Sequence, residues 1–384
     1  MDSSKKTKVL NIIFTIAIFV FTTFTFIALF LPVVKSTEAN NGVVVMEQSR
    51  GIFGANGIVK VVSDYIDAIT NSGSSEYIDA MIKSLMGWMV VLVMFAATSI
   101  IITIYMIFVI VRGIQVLKGT RAIKDLFASY ANIAFAFFAY VMAVYLVFWE
   151  KSVTVTTDGM IMITITGTIG LGSGTTMGLI FSLLGATILI ASIFLYKNEK
   201  PVVTKIFSAV IATIGTVLLS FMFIGGINDG LGTQVTVFNI VRDLPSMFKD
   251  SGDNPQSLAN TIMLFYGSLF SFVLAIVGVG FIKNLVFEAL ELNEERYKRV
   301  NRPYVPESKA MVFAILAFIF AGIGYLVCTI MYCGVFSNAT RSYHVGTMPV
   351  LAFIFLSILL GLAIANKAIS GSKAPKKEAE AKAE

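Results

Sequence analysis

Apolar residues run along this chain in stretches too long for strands or for the buried face of a soluble helix. A helix rises about 1.5 Å per residue, so about 20 apolar residues cross the hydrocarbon core of a bilayer. Eight stretches reach that length: residues 9–31, 85–111, 127–148, 177–196, 206–224, 258–282, 310–335 and 347–365. Backbone in lipid must satisfy its own hydrogen bonds, so each is expected to be helical. Pro32 is expected to end the first, because it lacks a donor and clashes with the preceding turn. Lys5, Lys6 and Lys8 ahead of that stretch mimic a secretory leader. Its apolar run is too long for one and no small-residue cleavage pattern closes it, so it reads as an uncleaved anchor.

Between these stretches the period changes from 3.6 to 2. Residues 153–157 and 160–166 alternate around Asp158-Gly159, and Asn41-Gly42 precedes Val43, Val44, Val45 and Met46. Asp-Gly supplies the positive φ of a tight hairpin turn, and the run after Asn41-Gly42 reads as another strand. Residues 233–237 are the counterpart strand in the second half, and the strands are expected to pair in one small sheet. Residues 59–69 read as an amphipathic helix, with Val59, Val62, Ile66 and Ile69 on one side and Lys60, Asp64 and Asp67 on the other. Such a helix lies on the membrane surface or packs beneath the sheet.

The two halves echo each other. At an offset of 179 residues Val62 meets Val241, Asp64 meets Asp243, Ser72 meets Ser251 and Gly73 meets Gly252. Each of these segments leads into a long span, a charged loop and another span. The expected fold is therefore an all-α polytopic membrane protein with eight transmembrane helices in two tandem four-helix modules. A small extracytoplasmic β-sheet is formed by the outer loops. The modules are residues 1–196, with outer loop 32–84, and residues 197–366, with outer loop 225–257; a disordered charged tail, 367–384, follows. An even number of spans in each copy makes them parallel repeats about an axis along the membrane normal. A long first outer loop, a short second one and strands at the outer face resemble claudin-like four-span proteins. The resemblance is one of layout: the outer-loop Trp and paired Cys of that family have no counterpart here, and no residue role is carried over.

Composition agrees with the pattern. Of 384 residues 57% are hydrophobic and 14% charged, and mean hydropathy is +0.84, far from the balance of a soluble domain. Charge sets the expected orientation. With the N-terminus in the cytoplasm, inner segments hold 21 of the 29 Lys and Arg, as the positive-inside rule requires. Both termini are then cytoplasmic and the site of residence is the plasma membrane. The net +6 is topology and contact with anionic inner-leaflet lipids, not a nucleic-acid footprint.

Candidate chemistry is sparse. Arg112, Gln115, Lys118, Arg121 and Lys124 fall three apart in the first cytoplasmic hairpin, where Gly113 and Gly119 are expected to weaken a continuous helix. Its counterpart, 283–309, carries Arg296, Lys298, Arg299 and Arg302, with Glu294–Lys298 and Glu295–Arg299 as favourable i,i+4 pairs. These eight cations are the expected lipid or protein contacts. Asp64 and Asp243 are the repeat-matched outer carboxylates. The spans hold no Asp, Glu or His, with Arg112 just beyond the second, so intramembrane proteolysis and proton relay are disfavoured. Asn132 and the Thr15, Thr22, Thr23 and Thr25 hydroxyls read as helix glue and self-bonding groups. Gly167, Gly170, Gly172, Gly174 and Gly178 lack the lysine of a phosphate loop and read as a tight entry into the fourth span. Cys328 and Cys333 are too few for a disulfide framework, and five residues apart they do not share a helix face. No catalytic residue, cofactor or metal is expected.

The expected function is that of a non-enzymatic integral membrane protein, an interaction or membrane-organising component acting through its outer and cytoplasmic loops. A protein partner would dock at the outer sheet or at loop 283–309. The alternative is a permease or transporter subunit for a lipid or an uncharged solute.

Overall fold

The computed structural model describes residues 3–71, 75–158, 161–195, 226–229, 231–236, 255–289, 322–327, 329–334 and 342–371, with isolated positions between them. Over these residues the chain is mostly helical, with a small antiparallel sheet. Three described helical stretches are long and apolar enough to cross a membrane: Thr7–Ala28, Leu85–Leu117 and Ile123–Phe148. They belong to helices α1 (Ser3–Ala28), α3 (Ser75–Leu117) and α4 (Ile123–Phe148). Helix α2 (Ile58–Asn71) precedes α3, and α5 (Ser173–Leu195), α6 (Pro255–Ala289) and α7 (Thr347–Gly371) follow. The expected stretches 206–224 and 310–335 lie largely outside the described residues, as do residues 290–321 and the tail.

Helix α4 is the centre of the first bundle. Over its apolar window 61% of residues are buried, against 28% in α1 and 22% in α3, which fits a helix that is apolar all round. It packs against α1, α3, α5 and α6. Tyr130, Phe137 and Tyr140 are fully enclosed there. Two glycines of α5 make the approach possible: a Cβ at Gly178 would strike the Phe137 ring, and one at Gly185 the Tyr130 ring. The tight entry expected of the glycine run is present at Gly172 and Gly174, which lie against the backbone of residues 28–33.

Three helix boundaries differ from expectation. Helix α1 ends at Ala28, before Pro32; the amides of Leu29 and Phe30 bond to the Phe26 and Ile27 carbonyls in a tightened last turn. Helix α3 starts ten residues before the apolar run and passes unbroken through Gly113, where the missing side chain accommodates Phe19 of α1. Gly119, at φ +73, is where the chain turns after α3.

The strands are β1 (Val34–Asn40), β2 (Val43–Arg50), β3 (Glu150–Asp158), β4 (Ile161–Leu171), β5 (Ile227–Asp229), β6 (Gln234–Val235) and β7 (Tyr343–Val345). They form one sheet in the order β2-β1-β4-β3-β6-β5-β7, with every pairing antiparallel. Ahead of the expected strand at 43–46, Asn41 and Gly42 turn β1 back into β2, with φ of 47° and 81° at the two positions, the signs of a type I′ turn. The β3–β4 hairpin is present too. Strands β1, β5 and β7 lie outside the predicted elements.

The base of the sheet holds the same pattern twice. Val34 faces Arg50 on one side and Leu171 on the other; Ile227 faces Val235 and Val345 in the same way. The Gly172 amide donates to the Val33 carbonyl at 2.8 Å, and the Gly346 amide to the Gly226 carbonyl at 3.1 Å. Helices α5 and α7 then begin two residues after β4 and β7.

Candidate interaction surfaces

The sheet presents two unlike edges around its first four strands. Strand β2 has β1 as its one neighbour among the described residues. Its outer half is uncharged and open, with Val43 68%, Val44 58%, Val45 61% and Met46 49% exposed. Ala39 pairs with Val44 and Glu38 with Met46, so Val45 is an extra residue in a bulge. Apolar side chains on an unpaired edge are an association site unless guarded by Lys, Pro or cover, and residues 43–46 contain neither Lys nor Pro.

The opposite edge, β3, is covered by β6. Glu150 faces Val235 and Lys151 faces Gln234. Beside this pairing the Thr236 hydroxyl donates to the Leu146 carbonyl at 2.6 Å, near the end of α4, and the Val153 amide donates to the Thr233 hydroxyl at 3.4 Å. Thr236, Thr233 and Ile227 are buried. The junction is thus closed by polar groups that have partners, as buried polar groups require.

A hollow of about 380 Å³ on the sheet includes Ser36, Glu38, Ser152, Thr154 and Gly167 in its lining. Gly167 sits in register between Glu38 and Ser152, and its missing side chain opens the space. The Thr37 and Thr168 hydroxyls bond to each other, and Lys35 pairs with Glu47 at 2.9 Å. Hydroxyl and carboxylate groups give this surface hydrogen-bonding capacity.

Helix α2 packs against α3. It buries Ile58 and Val62, whereas Val59 and Ile66 stay about half exposed. The packed stripe is therefore turned from the one expected through Val59 and Ile66. Asp64 is on the exposed side and pairs with Lys60 one helical turn away. That hydrogen bond and charge raise the Lys60 pKa above its usual 10.5. Asp243 lies outside the described residues.

At the far end of the bundle, α3 and α4 meet in a hairpin. Arg112 turns inward: its guanidinium donates to the Asp125 carbonyl at 3.1 Å and the Ser129 hydroxyl at 2.7 Å, and lies 5.1 Å from the Phe108 ring centre. Arg121 reaches the Asp125 carboxylate at 3.0 Å and the Gln115 side-chain oxygen at 3.2 Å. Lys118 is exposed and Lys124 half-buried. Even spacing thus separates into two arginines that close the hairpin and lysines at its surface. Arg112 falls within the apolar stretch Leu85–Leu117, not beyond it. Arg296, Lys298, Arg299 and Arg302 lie outside the described residues.

Within the helices, Asn132 bonds back to the Ala128 carbonyl at 2.7 Å and Thr23 to the Phe19 carbonyl at 2.8 Å. Thr15, Thr22 and Thr25 are buried without that bond. Sequence reasoning missed Asp125 and Ser129 as Arg112 partners, and Glu38 and Ser152 on the sheet. Asp125 had a signal, since it stands four residues after Arg121 on a helix start. Comparison with protein-family models, with characterised proteins and with solved structures gave no match to this chain. The claudin-like layout gains no support from them.

Proposed function

We propose that this chain is an eight-span integral protein of the plasma membrane, built as two tandem four-helix modules with both termini cytoplasmic. It acts without catalysis as an interaction or membrane-organising component, docking a protein partner through its outer sheet. The observation that carries this reading is the open, uncharged edge at Val43–Met46 on a sheet that both halves of the chain build.

The module reading draws support from the doubled base of the sheet. In each half a strand following the first span pairs with its hairpin partner and with the strand that leads into the last span. The amide of the glycine before that last helix bonds to the backbone just before the first strand, at Gly172 and again at Gly346. The three long apolar helices favour membrane insertion. A first bundle filled by Tyr130, Phe137 and Tyr140 favours a docking role over permeation between those helices.

Affinity capture from native membranes in mild detergent tests the function. The full chain is expected to retain a protein, a copy of itself or another. A variant with Val43, Val44 and Val45 all replaced by Lys is expected to lose it while eluting as a folded species. Equal capture by both chains, or capture by neither, contradicts the proposal.

A further inference from the structure

We infer that the hollow over Gly167 is a binding site for an organic ammonium ion, a protonated amine carried on an apolar body. The inference goes beyond the docking role proposed above and does not depend on it, because it stands on one face of the sheet and not on an edge.

Side chains alternate across a strand, so register decides which of them share a face. Glu38, Gly167 and Ser152 stand in one row across β1, β4 and β3. Ser36 lies two residues before Glu38, and Thr154 two after Ser152, so both fall on the same face. Ile165 and Ile169 flank Gly167 along β4 and fall there too, and all of these residues line the hollow. Gly167 is what opens it: a Cβ there would stand 2.8 Å from the Ser152 hydroxyl oxygen. Glycine weakens a strand interior, and its place in one marks a close approach of another group to the backbone.

Charge selects the ligand. Strands β1 and β2 carry four charged side chains. Lys35 and Glu47 pair with each other on the opposite face. The Arg50 guanidinium donates to the Gln48 side-chain oxygen at 3.1 Å. Glu38 is exposed and forms no ion pair among the described residues. It is the one carboxylate in the described lining, which holds no Lys, Arg or His. The hydroxyls beside it are loosely engaged: Ser152 reaches the Gly167 carbonyl at 3.4 Å and Ser36 the Gln48 carbonyl at 3.5 Å, beyond the usual length of such bonds. An ammonium group brings three donors and no acceptor. One meets the Glu38 carboxylate in a charge-assisted bond, and the others meet hydroxyl oxygens. Ile165, Ile169 and Met46 cover the carbon skeleton. Calcium fits less well, since it takes about six to eight oxygens and gains nothing from isoleucine. The volume of about 380 Å³ is that of a small-molecule site, roughly 300–1,000 Å³.

Fluorine NMR of fluorobenzylammonium tests this with the full chain in nanodiscs, empty nanodiscs correcting for partition into lipid. The expected result is saturable line broadening by the protein, with the neutral fluorobenzyl alcohol bound about tenfold more weakly or worse. Glu38→Gln is expected to weaken the ammonium to the level of the alcohol. Gly167→Val is expected to abolish binding of both by filling the hollow. Glu47→Gln, on the other face, is expected to change nothing. An unchanged thermal midpoint establishes that each variant is folded, and Glu38→Gln decides the matter alone if Gly167→Val lowers it. Nα-acetyllysine methylamide, added as competitor, distinguishes the sources of the group. Displacement by it upholds the site with a protein lysine as donor of the ammonium, and binding that resists it upholds the site for a free amine. Equal binding of amine and alcohol, equal binding by Glu38→Gln, or no saturable binding at all would overturn the inference. Each of these leaves the capture experiment above untouched, so the two readings fail separately.

Discussion

The two sides of the strand group β2-β1-β4-β3 differ in what they bury. At the β3 edge, β6 arrives with threonines: Thr236 is 1% exposed and its hydroxyl is bonded to the Leu146 carbonyl. At the β2 edge three valines and a methionine stand in the open. The sealed edge has satisfied its polar groups and buried Ile227. The open edge keeps apolar area still to be removed from water, on the order of 1 kcal/mol per side chain. The junction completed within the chain is polar and bonded; the edge without a described neighbour strand is apolar and unguarded.

The comparison breaks most severely where the base of the sheet is attacked. A Cβ at Gly172 would fall on the backbone of Pro32 and Val33, which has no rotamer to change. Gly172→Ala is expected to cost about 2–3 kcal/mol or more, read as a lowered thermal midpoint in detergent. Thr236→Val acts on the sealed edge alone. It leaves the Leu146 carbonyl without its donor at a buried junction, at a cost of about 1–2 kcal/mol, and the same thermal scan measures it. Asp64→Asn marks the lower end of the scale. The Lys60–Asp64 pair is solvent-exposed, so the midpoint is expected to stay unchanged. The raised Lys60 pKa keeps any contribution of the pair fully present below the usual 10.5 and removes it only as pH rises through the raised value. A scan from about pH 6 to pH 9 is therefore expected to show no transition from this pair.

Much of this was readable from residue order. The apolar runs marked the helices, Asp158-Gly159 marked a hairpin and residues 43–46 a strand, because a run of lipid-facing length, a positive-φ dipeptide and a β-branched run are local signals. Strands β1, β5 and β7 were not readable. Val34–Asn40 reads VKSTEAN and Tyr343–Val345 is three residues long, so neither carries a pattern of its own. They are strands because β4 and β5 lie beside them, which is tertiary pairing overriding local preference. The face of α2 was misplaced for a related reason: Val59 and Val62 are equally apolar, and only the position of α3 decides that Ile58 and Val62 turn inward. In the α3–α4 hairpin the cations were legible as charge. Which of them points inward depended on Asp125 and Ser129 arriving from the next helix.

The junction of the two halves at β3 and β6 supports the two-module proposal, and one covalent test addresses it directly. Lys151 and Gln234 face each other across the β3–β6 junction, within the reach a disulfide allows. In a chain with Cys328→Ser and Cys333→Ser, the pair Lys151→Cys and Gln234→Cys is expected to form an intrachain bridge under mild oxidation in membranes. It would be seen as faster migration on a non-reducing gel. The pair Lys151→Cys and Ser49→Cys serves as control, because β1 and β4 separate β2 from β3, a gap of about 14 Å at the usual strand spacing; it is expected to stay open within the chain. A junction pair that remains reduced, or that links only between copies, would contradict the arrangement.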